Sequence, residues 1–263
     1  MIFFDDSPAK LMYPLRSSSS KAMRIAIIQS CYIPWKGFFD LIGRCDQYVI
    51  YDSAQFSKGR WHNRNRIKTA NGPKWLTIPV ATAGRLTQAI DEVQISETWA
   101  DRHWQSIRLS YNRAPFFNDF EGLVKSWYER AEKAELLTEI NTVFLVGIAQ
   151  LLGLKTEIVS DRVYHPEGDR MERLLRIVRA AGADQYLSGP SAREYFDEAK
   201  FKEAGISTQW MSYESYPEYP QMHGEFDHQV SILDLIFNVG PATLSYTLNP
   251  KRELGETGAT NRA

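Results

Sequence analysis

The sequence predicts an α/β protein that opens with a βαβ unit and continues as a mainly parallel sheet flanked by helices. Residues 24–29 (Arg-Ile-Ala-Ile-Ile-Gln) form a β-branched run with too few polar alternations for an exposed strand, so they read as a buried parallel strand. Phe38, Phe39, Leu41 and Ile42 mark a short helix ending near Gly43, and Tyr48-Val49-Ile50-Tyr51 reads as the next buried strand. With 263 residues, 43% of them apolar, the chain can build a substantial core.

Further elements follow in order. Residues 75–80 (Trp-Leu-Thr-Ile-Pro-Val) read as a strand entered from a turn at Asn71-Gly72-Pro73. Apolar spacing predicts helices at 99–111 and 117–132, separated at Pro115, and a third at 136–152 ending at Gly153. A strand at 156–159, a helix at 169–181 and a strand at 185–187 come next, then Ser188-Gly189-Pro190-Ser191 and a further helix. No internal repeat or linker divides the middle, which places one α/β domain at 23–250 and a tail at 251–263. Residues 1–22 read as an unstructured leader without signal-peptide order, and Met23 as the natural start.

Composition excludes several classes. Lys plus Arg (31) nearly balance Asp plus Glu (32), which disfavours general nucleic-acid binding. No apolar stretch approaches the ~20 residues needed to span a bilayer. The two cysteines, Cys31 and Cys45, lack a CxxC or Cys/His cluster, which argues for a reducing, cytoplasmic compartment and against a zinc site. His223 and His228 match no metal-ligand spacing, and nothing names a cofactor or an oligomeric state.

The strongest functional signal begins six residues after Asp52. Lys58, Arg60, His62, Arg64, Arg66 and Lys68 alternate with Gly59, Trp61, Asn63, Asn65 and Ile67. If extended, this stretch sends the basic side chains to one face, at ~7 Å spacing. Each adjacent cation pair then repels by roughly 0.6 kcal/mol in water, about 2 kcal/mol for three pairs. That sum is tolerable, so a solvated charge run stays open as a reading. The mixture of Arg forks, amides and a Trp favours a site for an anionic small molecule.

Other candidates carry more than one reading. Asp52, at a strand end, is a general base, a ligand for a sugar hydroxyl or a metal, or the neutraliser of Arg64 or Arg66. Asp234, a carboxylate in an apolar helix, is the counter-ion of the basic strand or a catalytic acid. Tyr32, Pro34 and Trp35 stack on a ring or plug a loop. Cys31 lacks a visible His partner and is discounted as a nucleophile. Ser188 and Ser191 meet an anion at a helix N-terminus or simply cap the helix.

The pieces 29–40 (Gln-Ser-Cys-Tyr-Ile-Pro-Trp-Lys-Gly-Phe-Phe-Asp), 51–56 (Tyr-Asp-Ser-Ala-Gln-Phe), 61–68 (Trp-His-Asn-Arg-Asn-Arg-Ile-Lys), 186–191 and 231–238 resemble the WbqC-like proteins of bacteria. The likeness runs from about 23 to 240, and the arginine-asparagine piece is its most specific part. Ser30 stands where that family usually has Pro, and Cys31 occupies a variable position. The resemblance implies a transferase of bacterial surface-polysaccharide, lipopolysaccharide or O-antigen synthesis, moving an aminoacyl or acyl group onto an amino sugar. Arg64 and Arg66 would then hold the diphosphate of a nucleotide-linked sugar, Trp35 or Trp61 would cover a ring, and Asp52 would act as general base. Gln29, Tyr32, Gln55, Lys58, His62, Asn63, Asn65, Lys68, Ser188 and Ser191 complete the candidate substrate-binding set. The opening is also similar, more faintly, to a Rossmann-like or nucleotidyltransferase arrangement, without the paired histidines of the latter; that makes ATP-using adenylyl transfer an alternative. A non-catalytic binder of an anionic metabolite and an interaction module are the others.

Overall fold

A computed structural model of the chain describes residues 22–85, 87–248 and 255–256. Of the expected leader and tail, all but residue 22 and the pair 255–256 lie outside the described residues. The βαβ opening is present: β1 (Arg24–Ile28) leads through α1 (Lys36–Gly43) to β2 (Gln47–Ile50), and the two strands pair in parallel with Ile25 opposite Gln47. Three later strands join them, β5 (Glu157–Ser160), β6 (Gln185–Ser188) and β7 (Ser207–Trp210). In space the order is β5-β2-β1-β6-β7, all parallel, with the short β8 (Gly255–Glu256) antiparallel at the edge. This is the mainly parallel sheet that the sequence predicts. The chain winds outward from β1 through β2 and β5, then returns to the other side of β1 for β6 and β7. Such a reversal suggests Rossmann-like winding and leaves a crevice outside the carboxyl ends of β1 and β6.

Both faces of the sheet are covered, which explains why its strands read as apolar runs. Ile25 and Ile27 of β1 face a core with Leu174, Ile177 and Val178 of α5 (Arg170–Ala180) and Phe201 of α6 (Glu198–Glu203). Ala26 faces a larger core built with α1, α2 (Ala100–Tyr111), α3 (Phe117–Ala131), α4 (Leu137–Leu151) and α7 (Ile232–Val239). A short α8 (Thr243–Thr247) follows. Asp169 caps α5 by accepting from the Glu172 amide at 2.9 Å, while Glu172 accepts from the Asp169 amide at 3.1 Å, a reciprocal box that fixes where the helix starts.

The basic segment departs from the expected geometry. Only its second half is a strand: β3 (Arg64–Thr69) pairs antiparallel with β4 (Gly72–Thr77) in a separate two-stranded sheet. The turn lies one residue earlier than expected, at Ala70-Asn71, and Gly72 follows at φ +96°, in the left-handed region that favours glycine. Residues 58–63 are not extended. The last residue of β4, Thr77, lies opposite Arg64; one further bond, from the Ile78 amide to the Asn63 carbonyl at 2.8 Å, ends the pairing, because Pro79 has no N–H to continue it, and Gly59 turns the chain at φ +80°. The six basic or imidazole side chains therefore do not share one face.

Candidate functional site

Three segments converge beside the carboxyl end of β1: the loop at 29–35, the hairpin, and the residues just before α7. Between them lies a cleft of about 360 Å³, lined by Cys31, Pro34, Trp35, Phe38, Trp61, Asn65 and Gln229. Its walls are chiefly aromatic, with two amides and a thiol, a composition suited to a ring-bearing ligand held by few polar contacts.

The loop after β1 is held in an unusual conformation. Ile33, a β-branched residue, sits at φ +36°, where such side chains are strained. Asn65 restrains it by donating from Nδ2 to the carbonyls of Tyr32 at 2.9 Å and Ile33 at 2.8 Å. The Tyr32 amide donates to the Trp61 carbonyl at 3.1 Å. Trp35 packs edge-on against Tyr213 and Tyr216 at 5.1 and 5.6 Å and lies over Gly37, where an added Cβ would come within 2.3 Å of Cζ2. Gly37→Ala should therefore cost about 1–3 kcal/mol of stability by pushing the indole aside. Gly122→Ala in α3, with no atom within 4 Å, should stabilise by about 0.5–1 kcal/mol. Urea denaturation of the two variants checks the contrast, and equal effects would mean that the indole has room to move.

Beneath the Cys31 and Trp61 wall lies a buried polar group. Asp52 Oδ1 accepts from the Ser30 amide at 2.8 Å, and Oδ2 accepts from Ser30 Oγ at 2.7 Å and Thr138 Oγ1 at 2.6 Å. Asn141 Nδ2 donates to Ser30 Oγ at 2.8 Å and to the His62 carbonyl at 2.9 Å, while His62 Nδ1 lies 3.1 Å from the Ser30 carbonyl. Burial pushes the Asp52 carboxyl above its ordinary value, against the pull of its Thr138 and Ser30 hydrogen bonds, and pushes His62 down. Burial, helped by the nearby Asp52 charge, pushes the Cys31 thiol up to about 12, so it is protonated at neutral pH and a poor nucleophile.

The expected ion network around Asp52 is absent: its partners are hydroxyls and an amide, not Arg64 or Arg66. Neither arginine lines the cleft: Arg66 bonds to its Gln229 wall, and Arg64 lies against Trp75, behind the lining residue Trp61. Arg64 lies 4.2 Å from the Trp75 ring centroid and Arg66 lies 5.7 Å from it, and Trp75 packs on Trp61 at 5.2 Å. Arg66 donates to the Gln229 carbonyl at 2.9 Å and to its Oε1 at 3.0 Å, and lies 3.6 Å from Asp227.

The remaining candidates scatter. Lys58 and Arg60 are exposed, and Lys68 is buried with Nζ 2.6 Å from Gln221 Oε1. Asn63 is buried and donates to the Ile78 carbonyl at 2.9 Å. Tyr32 is the loop plug rather than a platform: it is fully buried, its hydroxyl 2.9 Å from His103 Nδ1 and 2.6 Å from the Tyr128 hydroxyl. Asp234 is buried among Tyr111, Tyr219 and Gln221, away from the cleft lining. Gln29 Nε2 reaches only the Gln55 carbonyl, at 3.5 Å. Ser188 is buried and Ser191 exposed; Gly189, not a serine, occupies the cap position, with no side-chain hydrogen bond, and a 3-10 turn (Pro190–Tyr195) follows. An added Cβ on Gly189 would meet the Tyr213 hydroxyl at 3.4 Å, which links this turn to Trp35 through one ring.

Sequence reasoning missed Ser30, Thr138, Asn141, Phe38, Tyr213 and Gln229. Asn141 carried a usable signal, an amide on the apolar face of α4 at helical spacing from Leu137, Phe144, Leu145 and Ile148, an anomaly like the one that singled out Asp234.

The loop, hairpin and α7 pieces that build this geometry all fall inside residues 29–246, the stretch that matches the model of the WbqC-like protein family. The chain belongs to the WbqC-like family. This WbqC-like protein is also similar to Rv1507c of Mycobacterium tuberculosis, an uncharacterized protein, at 41% identity over 224 residues, covering 85% of this chain and 96% of the relative. No solved structure matches it significantly. Among the described residues, no helix of this WbqC-like protein is long and apolar enough to cross a membrane.

Proposed function

We propose that this WbqC-like protein is a transferase that holds a nucleotide-linked amino sugar in the Trp35–Trp61 cleft and moves an acyl or aminoacyl group onto it, in bacterial surface-polysaccharide synthesis. The observation that carries this reading is the cleft beside the sheet's carboxyl edge: aromatic walls of ring-stacking size, with Arg66 bonded to its Gln229 wall and Arg64 on Trp75 behind Trp61. Guanidinium forks match the planar oxygens of a diphosphate, and indoles cover sugar or base rings. An amine that attacks an acyl carbonyl forms the new C–N bond and sheds a proton as the acyl leaving group departs. Ser30 Oγ, which already donates to Asp52, passes that proton on, and the raised basicity of buried Asp52 suits it to receive it.

Thermal denaturation with a panel of nucleotide-sugars, nucleoside triphosphates with magnesium, and pyrophosphate tests the assignment. At about 100 times its dissociation constant, a nucleotide-sugar should add ~2.7 kcal/mol, or roughly 5–10 °C for a chain of this size. Arg64→Ala should abolish most of that shift. A shift with ATP alone would favour adenylyl transfer instead.

A further inference from the structure

On the α5 side of the same carboxyl edge, a second group of polar side chains stands apart from the aromatic cleft. Tyr51 and Ser53 follow β2, Asp161 follows β5, Arg170 and Arg173 stand near the start of α5, and Tyr195 ends the 3-10 turn after β6. The Ser53 hydroxyl donates to Asp161 Oδ2 and accepts from Arg173 Nη2 at 2.8 Å. The Arg173 guanidinium lies 5.7 Å from the Tyr51 ring centroid, and that of Arg170 lies 3.7 Å from the Tyr195 ring centroid.

Two atoms in this group are left over. Asp161 is fully buried, yet its Oδ1 has no hydrogen-bond partner, and Arg173 Nε is likewise buried and unpartnered. Buried polar atoms are rarely left so, because each has lost its water without a replacement. The two side chains do not satisfy one another, since Ser53 stands between them as the bridge. The start of α5 cannot serve either, because Asp169 already occupies the Glu172 amide. What is on offer is one acceptor, one guanidinium donor and a second guanidinium on an aromatic ring.

We infer that this group of side chains binds a second small ligand: an oxyanion, carboxylate or phosphate, that also carries a hydroxyl or ammonium group. The oxyanion takes Arg173 Nε and the Arg170 guanidinium, and the hydroxyl or ammonium donates to Asp161 Oδ1. A bare anion fits worse, because the Asp161 carboxylate repels it. The inference is independent of the nucleotide-sugar reading, since the two sites share no residue.

Isothermal titration of the full chain with inorganic phosphate, ribose 5-phosphate and glycine tests it. Ribose 5-phosphate or glycine should bind at least about tenfold more tightly than inorganic phosphate. Binding of ribose 5-phosphate alone identifies a phosphorylated sugar as the source chemistry, and binding of glycine alone an amino acid. Arg173→Gln and Asp161→Asn should each weaken binding by about tenfold or more, and Arg64→Ala should leave it unaltered. Should Arg173→Gln fail to fold, Arg173→Lys keeps the charge without the fork and should weaken binding too. No binding by either donor-bearing probe, equal affinity for inorganic phosphate, or loss in Arg64→Ala but not in the Arg173 variants would overturn the proposal.

Discussion

Asp234→Ala should destabilise the protein by about 3–5 kcal/mol, the largest loss expected of any single substitution considered. Asp234 is fully buried, and its carboxylate is an acceptor hub: Oδ1 takes the Tyr219 hydroxyl at 2.7 Å and Gln221 Nε2 at 2.8 Å, and Oδ2 takes the Tyr111 hydroxyl at 2.9 Å. Removing it orphans the Tyr111 and Tyr219 hydroxyls in a site closed to water and takes one acceptor from Gln221 Nε2, which keeps the Asp227 carbonyl. It also leaves the buried Lys68 ammonium without its counter-charge, since Lys68 meets Asp234 only through Gln221, which bonds to both. Asp234→Asn keeps the volume and one acceptor but loses the charge, so it should fall between wild type and alanine. Equilibrium urea denaturation at neutral pH ranks the three, and a loss below about 1 kcal/mol for alanine would mean that the hub rearranges freely.

Asp52→Asn tests the chemistry of the cleft. The asparagine oxygen can keep the Ser30 amide, but its NH2 then stands where the Ser30 and Thr138 hydroxyls had an acceptor, so both must turn to accept and lose their charged partner, and a cost of about 1–3 kcal/mol in stability is expected. The functional effect separates enzyme from binder. Under the transferase reading, acyl transfer to the stabilising nucleotide-sugar should drop by about 100-fold or more while the sugar's dissociation constant holds. A variant with altered affinity and no separate loss of turnover would make Asp52 a brace for the Ser30 loop and favour a non-catalytic binding protein.

How far the sequence discloses this molecule depends on the range of the interaction involved. The β1-α1-β2 opening, the five principal later helices and the β3–β4 hairpin were legible, because apolar spacing and turn residues act locally. The leading half of the basic run was not: period-two alternation from Lys58 to Lys68 looks like a strand throughout, but a strand needs a partner, and β4 ends opposite Arg64. Trp35, Trp61 and Asn65 were read as site residues and do line the cleft. Tyr32 was equally aromatic and equally near Pro34, yet hydroxyl partners on α2 and α3 draw it into the core. Thr138 reaches Asp52 across 86 positions of chain, and no local pattern announces such a pairing.

The hairpin has one more consequence. Successive residues of β3 serve opposite walls: Asn65 ties down the strained loop after β1, and Arg66 ties down the Gln229 segment. The cleft is therefore as wide as a single strand allows, and its calibre is set by hydrogen-bond register rather than by any lining side chain. Removing one residue from the Ala70-Asn71 turn, which touches no ligand surface, would push β3 and β4 toward a slipped pairing in which alternate side chains trade faces. The tether to Ile33 and the tether to Gln229 would then exchange targets. A frame made this way tolerates changes of amino acid along its rim more readily than a change of length at its far end.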